Sequence, residues 1–370
     1  MKTRAAVMWE AGKDWDVVEL DLDDPKPGEV LVRFAASGLC HSDDHLRTGD
    51  LPSRFPIVGG HEGAGVIEAV GEGVFDVAVG DHIVCSFLPS CGKCRWCSTG
   101  HGNLCDLGAQ LLDGCLPDGT FRFHSGGNDF GGMCMLGTFS ERAVVSRNSV
   151  VKIDESIPLE VAALVGCGVP TGWGSAVYSA EVGPGDTVVI FGTGGIGLNA
   201  VQGAKHAGAR NVIAVDPLEF KRSKALEFGA DYAVETGDEA ITKAYEVTNG
   251  VGADSAIVTV GVVTSPVVEA AFHSTRKLGT VVVTGLGNMA ENTVQINGSI
   301  LTLFQKTIKG SLFGESNFGH DIPNLLSLWQ AGQLKLDELI SQTYSLDDIN
   351  IGYADLLEGR NIRGVIQYAD

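Results

Sequence analysis

Positive charge is what this sequence has least of: 26 lysines and arginines stand against 46 aspartates and glutamates, a formal net charge of −20. Such a surplus repels phosphate backbones and anionic lipid, so neither nucleic acid nor a membrane surface is an expected partner. Long apolar runs are also missing. Nothing along the chain approaches membrane-spanning length, and residues 1–10 carry Lys2 and Arg4 without the apolar core of a secretory signal. Internal repeats, low-complexity tracts and long linkers are absent as well, which excludes solenoids and disordered tethers. These absences predict a cytoplasmic globular protein.

With 370 residues the chain exceeds what one hydrophobic core usually supports, and two domains are expected. Fifty glycines imply many tight turns and close backbone approaches. The first part alternates short β-branched runs with Gly/Pro punctuation, and 30–34, 64–70, 82–86 and 143–145 read as strands. From about Pro184 the texture becomes strand, glycine turn and helix: strands at 187–191 and 211–215, helices at 195–207 and 219–228, then strands at 255–260 and 279–284 around a helix at 266–273. That grammar implies a parallel sheet. Helices at 322–331 and 346–357 and a last strand at 364–368 leave the rhythm and are expected to return to the first domain.

Nine cysteines in a reducing compartment point to metal binding or catalysis more than to disulfides. Cys91, Cys94, Cys97 and Cys105 follow one another as Cys-x-x-Cys-x-x-Cys, seven residues, Cys. Four thiolates from one short loop close a tetrahedral zinc site with no open position, a structural arrangement; an iron-sulfur cluster uses overlapping spacings. Cys85, Cys115 and Cys134 lack such spacing and read as ordinary thiols. Cys40 in Gly-Leu-Cys-His-Ser-Asp-Asp-His, His61 and Glu62 in Gly-Gly-His-Glu-Gly, and Cys167 in Gly-Cys-Gly-Val-Pro each sit in a glycine-rich turn. Two thiolates and an imidazole leave a fourth zinc position open for a water or a substrate oxygen, as catalytic zinc requires.

Gly192, Gly194 and Gly197 stand in G-x-G-x-x-G spacing after an apolar strand and before a helix, a dinucleotide fingerprint in its proper context. The helix N-terminus there favours a pyrophosphate. Asp216, nineteen residues after Gly197, is placed to accept from the adenosine ribose hydroxyls and to repel a 2′-phosphate, which predicts NAD over NADP. The cation at Arg222 stands close enough to complicate that preference.

Taken together these segments resemble the zinc-containing medium-chain alcohol dehydrogenase family, nearly end to end. The resemblance implies an α/β fold: a GroES-like, mostly β catalytic domain at 1–168, a doubly wound Rossmann domain at 169–310, and a segment 311–370 that returns to the catalytic domain, with the active site in a cleft. It implies two Zn2+ per chain, the catalytic ion on Cys40, His61 and Cys167 with Glu62 as an occasional alternative ligand, and Asp43 orienting His61. Ser42 and His45 resemble a proton relay through the nicotinamide ribose. His41 and Arg363 would contact the pyrophosphate and Thr171 the nicotinamide side; Lys221 resembles a ribose-side lysine, and Gly195, Ile196 and Thr284 complete the cofactor contacts. Many relatives have arginine where this chain has His41, so phosphate attraction there is expected to be weaker. Leu51, Phe87 and Leu136 match positions lining the alcohol channel, although core packing accounts for them equally well.

The implied reaction moves a hydride between a primary alcohol or aldehyde and NAD. His45 and Leu51 depart from the glutathione-dependent formaldehyde dehydrogenases, which excludes that branch. The stretch 91–136 and the ending Asn361-Ile-Arg-Gly-Val-Ile look closer to actinobacterial members. Some of those hold NAD(H) tightly and pass electrons to an external carrier such as mycofactocin or to a nitroso dye, an alternative kept open. A non-catalytic zinc and nucleotide-binding homologue is a rival of another class, and a zinc-free quinone or enoyl reductase a third. The long segment 106–135 and the chain length resemble dimeric members, so a homodimer is expected.

Overall fold

The computed structural model describes residues 1–291 and 294–369, which divide into two units: Met1–Cys167 with Asn317–Asp370, and Gly168–Ser316. In the first unit the strands Lys2–Met8, Asp16–Leu22, Phe123–Ser125, Asn128–Gly132 and Ile57–Val58 close into a small barrel. A larger sheet of seven strands is built on Glu29–Gly38, which pairs with Gly63–Val70, with Arg142–Ser146 and with Arg363–Gln367 from the far end of the chain. Val30, Val32 and Phe34 are fully buried on that central strand. Closing the barrel and burying that strand gives the mostly β unit few open edges.

A second apolar cluster bears directly on function. Trp15, Leu39, Leu46, Phe139, Tyr344, Ile349, Tyr353 and Ile366 pack together, so the helix Ile349–Leu357 and the last strand lie against the segment that carries Cys40. Trp15 meets Phe139 edge-on at 5.6 Å and Tyr353 at 5.8 Å. Truncating such a buried ring costs about 3–5 kcal/mol, so the wall behind Cys40 is firmly held.

The second unit is a six-stranded parallel sheet in the order Tyr232–Val234, Asn211–Val215, Thr187–Phe191, Ala253–Val258, Thr275–Val283, Thr307–Gly310. Its middle strands are apolar on both faces because helices cover both, as βαβ connections require. Strand order reverses beside Thr187–Phe191, the position at which doubly wound sheets open a crevice for a ligand. Among the described residues no single helix is long and apolar enough to cross a membrane.

Several elements were not foreseen. The first two strands, joined by a turn at Gly12 with φ 85°, are not read from sequence, and Cys40, read as part of a turn, instead precedes the helix His41–Thr48. The helix Gly237–Val247 carries a full capping box, Thr236 with Glu239, that an unaided reading passes over.

Candidate active site

In the first unit the chain builds the site from the end of its central strand. Gly38 closes that strand because any side chain there would collide with the Glu62 carboxylate and sit 3.0 Å from the Arg363 guanidinium. Cys40 then takes extended backbone angles and opens the helix His41–Thr48, whose acidic first turn (Asp43, Asp44) and basic last turn (His45, Arg47) suit the helix dipole. Gly60, with φ 86°, turns the chain so that its N–H donates to Asp43 Oδ1 at 2.9 Å. The other oxygen of Asp43 faces Nδ1 of His61 at 3.1 Å, both groups buried. With the Asp43 carboxylate on the Nδ1 side, Nε2 is the nitrogen left to bind a metal.

Cys40, His61, Glu62 and Cys167, drawn from three separate regions of sequence, each offer a donor atom within 4.8 Å of the others, and all four are buried. Hydrogen bonding from Cys167, reinforced by His61, holds the Cys40 thiol well below the usual range despite burial. The same hydrogen bond, with burial, lifts Cys167 well above it. Burial alone would push the His61 imidazole down, but the negative groups of Asp43, Cys167 and Cys40 together raise it well above its ordinary value. Burial likewise pushes Glu62 up to about 7, opposed by Arg363, to which it is hydrogen bonded. Two cysteines and an imidazole pressed this close make a donor set that asks for a cation, and sulfur with nitrogen is the combination zinc prefers. Arg363 stands in this cluster with its Nη2 on Glu62, while its buried Nε has no partner among the described residues.

The relay candidates lie on the same helix. Ser42 Oγ is 3.6 Å from the Cys40 sulfur. His45, three residues on and almost fully buried, has Nδ1 3.0 Å from Asp50 Oδ2, and its ring meets that of His41 edge-on at 5.4 Å. A hydrogen bond from Thr48, then that from His45, keeps the Asp50 carboxylate below its usual range. Asp50 and Tyr353, whose hydroxyl donates to the Cys40 carbonyl at 3.4 Å, escape sequence reasoning. The first had a signal, an acid just past the helix end; the second had none, since 313 residues separate it from its partner. Phe87 packs its ring 5.8 Å from His61, Leu51 donates its N–H to the carbonyl of His45, and Leu136 is buried in the barrel core.

The cysteine loop makes a second donor cluster. For zinc with bonds to sulfur of about 2.3 Å, tetrahedral geometry puts two sulfurs about 3.8 Å apart. Cys91 and Cys97 are 4.0 Å apart, as are Cys94 and Cys105, and all four fall within the 4.8 Å limit. Backbone N–H groups of Cys94, Cys97 and Cys91 donate to the sulfurs of Cys91, Cys94 and Cys105 at 3.3, 3.5 and 3.3 Å. The N–H of Cys97, followed by that of Asp106, draws Cys94 down to about 6, whereas burial lifts Cys105 to about 12. Cys85, Cys115 and Cys134 belong to neither cluster.

In the second unit the glycine loop follows the strand Thr187–Phe191. Gly192 has φ 86° and a side chain there would meet Val260, Gly194 faces open space, and a side chain on Gly197 would strike the Gly192 carbonyl. Gly194 caps the helix Gly195–His206, which begins with Gly195 and Ile196 and so points its free N–H groups at that open space. Asp216 ends the neighbouring strand, and Lys221 lies in the first turn of Glu219–Glu227. Thr171 and Thr284 are joined by Ser175, whose Oγ donates to the Thr171 carbonyl at 2.6 Å and lies 2.8 Å from Thr284 Oγ1.

A GroES-like β unit with clustered metal donors and, in the same chain, a dinucleotide-type sheet define a two-domain dehydrogenase, and comparison with known proteins agrees. Residues 26–155 match the alcohol dehydrogenase GroES-like domain and residues 195–331 the zinc-binding dehydrogenase domain. The chain is 61% identical over 369 residues, all of both chains, to the NDMA-dependent alcohol dehydrogenase of Amycolatopsis methanolica. It is 50% identical to alcohol dehydrogenase B of Mycobacterium tuberculosis, covering all of this chain and 99% of that one. The crystal structure of benzyl alcohol dehydrogenase from Acinetobacter calcoaceticus, 30% identical, superposes over the whole of both chains with a TM-score of 0.93. The chain belongs to the zinc-containing medium-chain alcohol dehydrogenase family, and it is an oxidoreductase of the α/β, GroES-like plus doubly wound type that its sequence resembles.

Proposed function

We propose that this enzyme oxidises a primary alcohol to its aldehyde, reversibly, with NAD as hydride acceptor, the unit Met1–Cys167 with Asn317–Asp370 acting as the catalytic domain and Gly168–Ser316 as the NAD-binding domain. The observation that carries it is the convergence of Cys40, His61, Glu62 and Cys167 within 4.8 Å in a buried setting. Zinc held by Cys40, His61 and Cys167 would supply Lewis acidity toward the alcohol oxygen. Asp43 fixes the His61 tautomer so that Nε2 faces the donors. Ser42 Oγ and His45 are the chain's own members of a proton relay that would run between them by way of the nicotinamide ribose: Ser42 hands on its own proton as it accepts the hydroxyl's, and His45, held at Nδ1 by Asp50, would receive one at Nε2. Phe87 and Leu51 supply apolar surface for the alcohol carbon chain. Arg363 balances Glu62, which stays in reserve as an alternative donor.

A second ion on Cys91, Cys94, Cys97 and Cys105 would be structural, since four thiolates leave no open position. Gly192, Gly194, Gly195, Ile196 and Gly197 would cradle the pyrophosphate, with Asp216 and Lys221 on the adenosine ribose, and Thr171 and Thr284 near the nicotinamide. A homodimer is supported by the strand Thr307–Gly310, which pairs on one side only among the described residues, and by exposed Leu303 and Met289 nearby in sequence. A cytoplasmic location fits the charge balance.

The name of the Amycolatopsis relative favours a second reading, in which NAD(H) stays bound and an external carrier reoxidises it. One experiment addresses both: zinc is measured on the purified protein, which is then denatured and assayed for released nucleotide. Two zinc ions per chain support the proposal and fewer than two contradict it; stoichiometric NAD(H) selects the tightly bound variant, and none selects ordinary exchange. A metal-free protein would instead fit the reductase or non-catalytic rivals.

A further inference from the structure

Sequence leaves the choice between NAD and its 2′-phosphorylated form to one carboxylate, Asp216, with Arg222 standing by as a rival cation. The structure gives both groups fixed partners. Asp216 is buried at the end of Asn211–Val215, and its Oδ2 accepts from the backbone N–H of Thr193 at 2.9 Å and from the Thr193 hydroxyl at 3.2 Å. Its Oδ1 accepts from the N–H of Leu218 at 3.0 Å. Thr193 is the fully buried residue between Gly192 and Gly194, so the loop that would cradle the pyrophosphate also grips the ribose-side acid. Arg222 Nη1 donates to the carbonyls of Asp216 at 2.9 Å and Pro217 at 2.8 Å, and Nη2 lies 3.5 Å from Glu235.

We propose that Thr193 is a specificity-determining residue for the nucleotide: its hydroxyl pins the Asp216 carboxylate toward a ribose diol, and Arg222 is a staple on the same turn, not a phosphate ligand. The inference rests on the NAD reading above and deepens it. A carboxylate held by one or two neutral donors can rotate away from an incoming 2′-phosphate and leave room for a cation to meet it. Held by three donors, it stays where its charge repels the phosphate. Arg222 could answer that charge only by giving up two carbonyl acceptors, which would then be left without their hydrogen bonds. Carboxylate and guanidinium are thus both committed before any nucleotide arrives.

The test needs no alcohol turnover. Full-length protein is equilibrated with an equimolar mixture of NAD and NADP, freed of unbound nucleotide, and denatured, and the released nucleotides are quantified. Wild-type protein should retain NAD predominantly. Thr193→Val, close to isosteric and still carrying the backbone N–H, should raise the retained NADP-to-NAD ratio by about tenfold, the scale of one lost charge-assisted hydrogen bond. Thr193→Ser keeps a hydroxyl and should hold the wild-type ratio; if the valine variant does not fold, Thr193→Ala read against Thr193→Ser gives the same contrast. Arg222→Gln should not lower the NADP share. An unchanged ratio in the valine or alanine variant, a serine variant that shifts as far, or a fall in NADP on losing Arg222 would each overturn the proposal. Wild-type protein that prefers NADP would instead overturn the NAD reading, a distinct result.

Discussion

The two metal-donor clusters of the first unit are made in opposite ways. Cys91, Cys94, Cys97 and Cys105 come from one loop of fifteen residues, three of them only half-buried, and backbone N–H groups tune their sulfurs. Cys40, His61, Glu62 and Cys167 span 128 positions from first to last, all are buried, and other side chains tune them: Asp43, Arg363 and each other. A local knot needs only its own turns. A distant convergence needs the whole fold, and in return it surrounds its donors with buried side chains that can hold protons. Both use the same sulfur chemistry; surroundings decide which one can catalyse.

The sharpest way to break that comparison is a crossed pair of substitutions. Cys40→Ser should lower turnover at least about a thousandfold, remove one zinc per chain, and leave the melting temperature and bound nucleotide nearly as they were. Cys97→Ser should also remove one zinc but show its effect as a lost or much lowered melting transition, as expected when a structural ion is removed. Metal content, melting curves and steady-state rates on the same preparations read both. If Cys97→Ser left stability intact, or Cys40→Ser unfolded the protein, the division of labour drawn here would be wrong.

A smaller effect comes from the neighbours. Asp43→Asn should weaken metal retention about 10- to 100-fold in a chelator competition at the buried site and leave retention by the cysteine loop unchanged, because the loop uses no side-chain carboxylate. Equal loss from both sites would remove the distinction. The smallest expected change is at the relay: Asp50→Asn should reduce turnover by up to about tenfold with zinc content unchanged, since His45 loses the carboxylate that holds its Nδ1. A change in KM alone would place Asp50 outside the proton path.

Legibility followed the same divide. The cysteine loop, the glycine fingerprint and the βαβ alternation are local patterns, so spacing alone finds them, and the strands 187–191 and 211–215 read from sequence match those in the structure. Cys40, His61 and Cys167 stand out singly as donors in glycine-rich surroundings, but their assignment to one ion comes through a family likeness, because no local rule links three segments that far apart. Asp43 against His61 follows from the same likeness, but Tyr353 against the Cys40 carbonyl and Thr193 against Asp216 do not. Each depends on side-chain directions that no periodicity encodes. The helix His41–Thr48 hid for a different reason: its polar sequence, His-Ser-Asp-Asp-His, shows no apolar stripe, yet Asp43, Asp44 and His45 are buried against the site they serve.

The pairing of Arg363 with Glu62 also sets a timetable for making the enzyme. During synthesis the four sulfurs of the cysteine loop are all in hand once residue 105 has left the ribosome. The buried acid at position 62 must wait for nearly the entire polypeptide before its countercharge emerges, and until then that pocket holds a carboxyl group with no arginine to face it. A nascent chain stalled before residue 363 would therefore hold a complete cysteine loop and a Glu62 carboxyl group that has yet to meet Arg363.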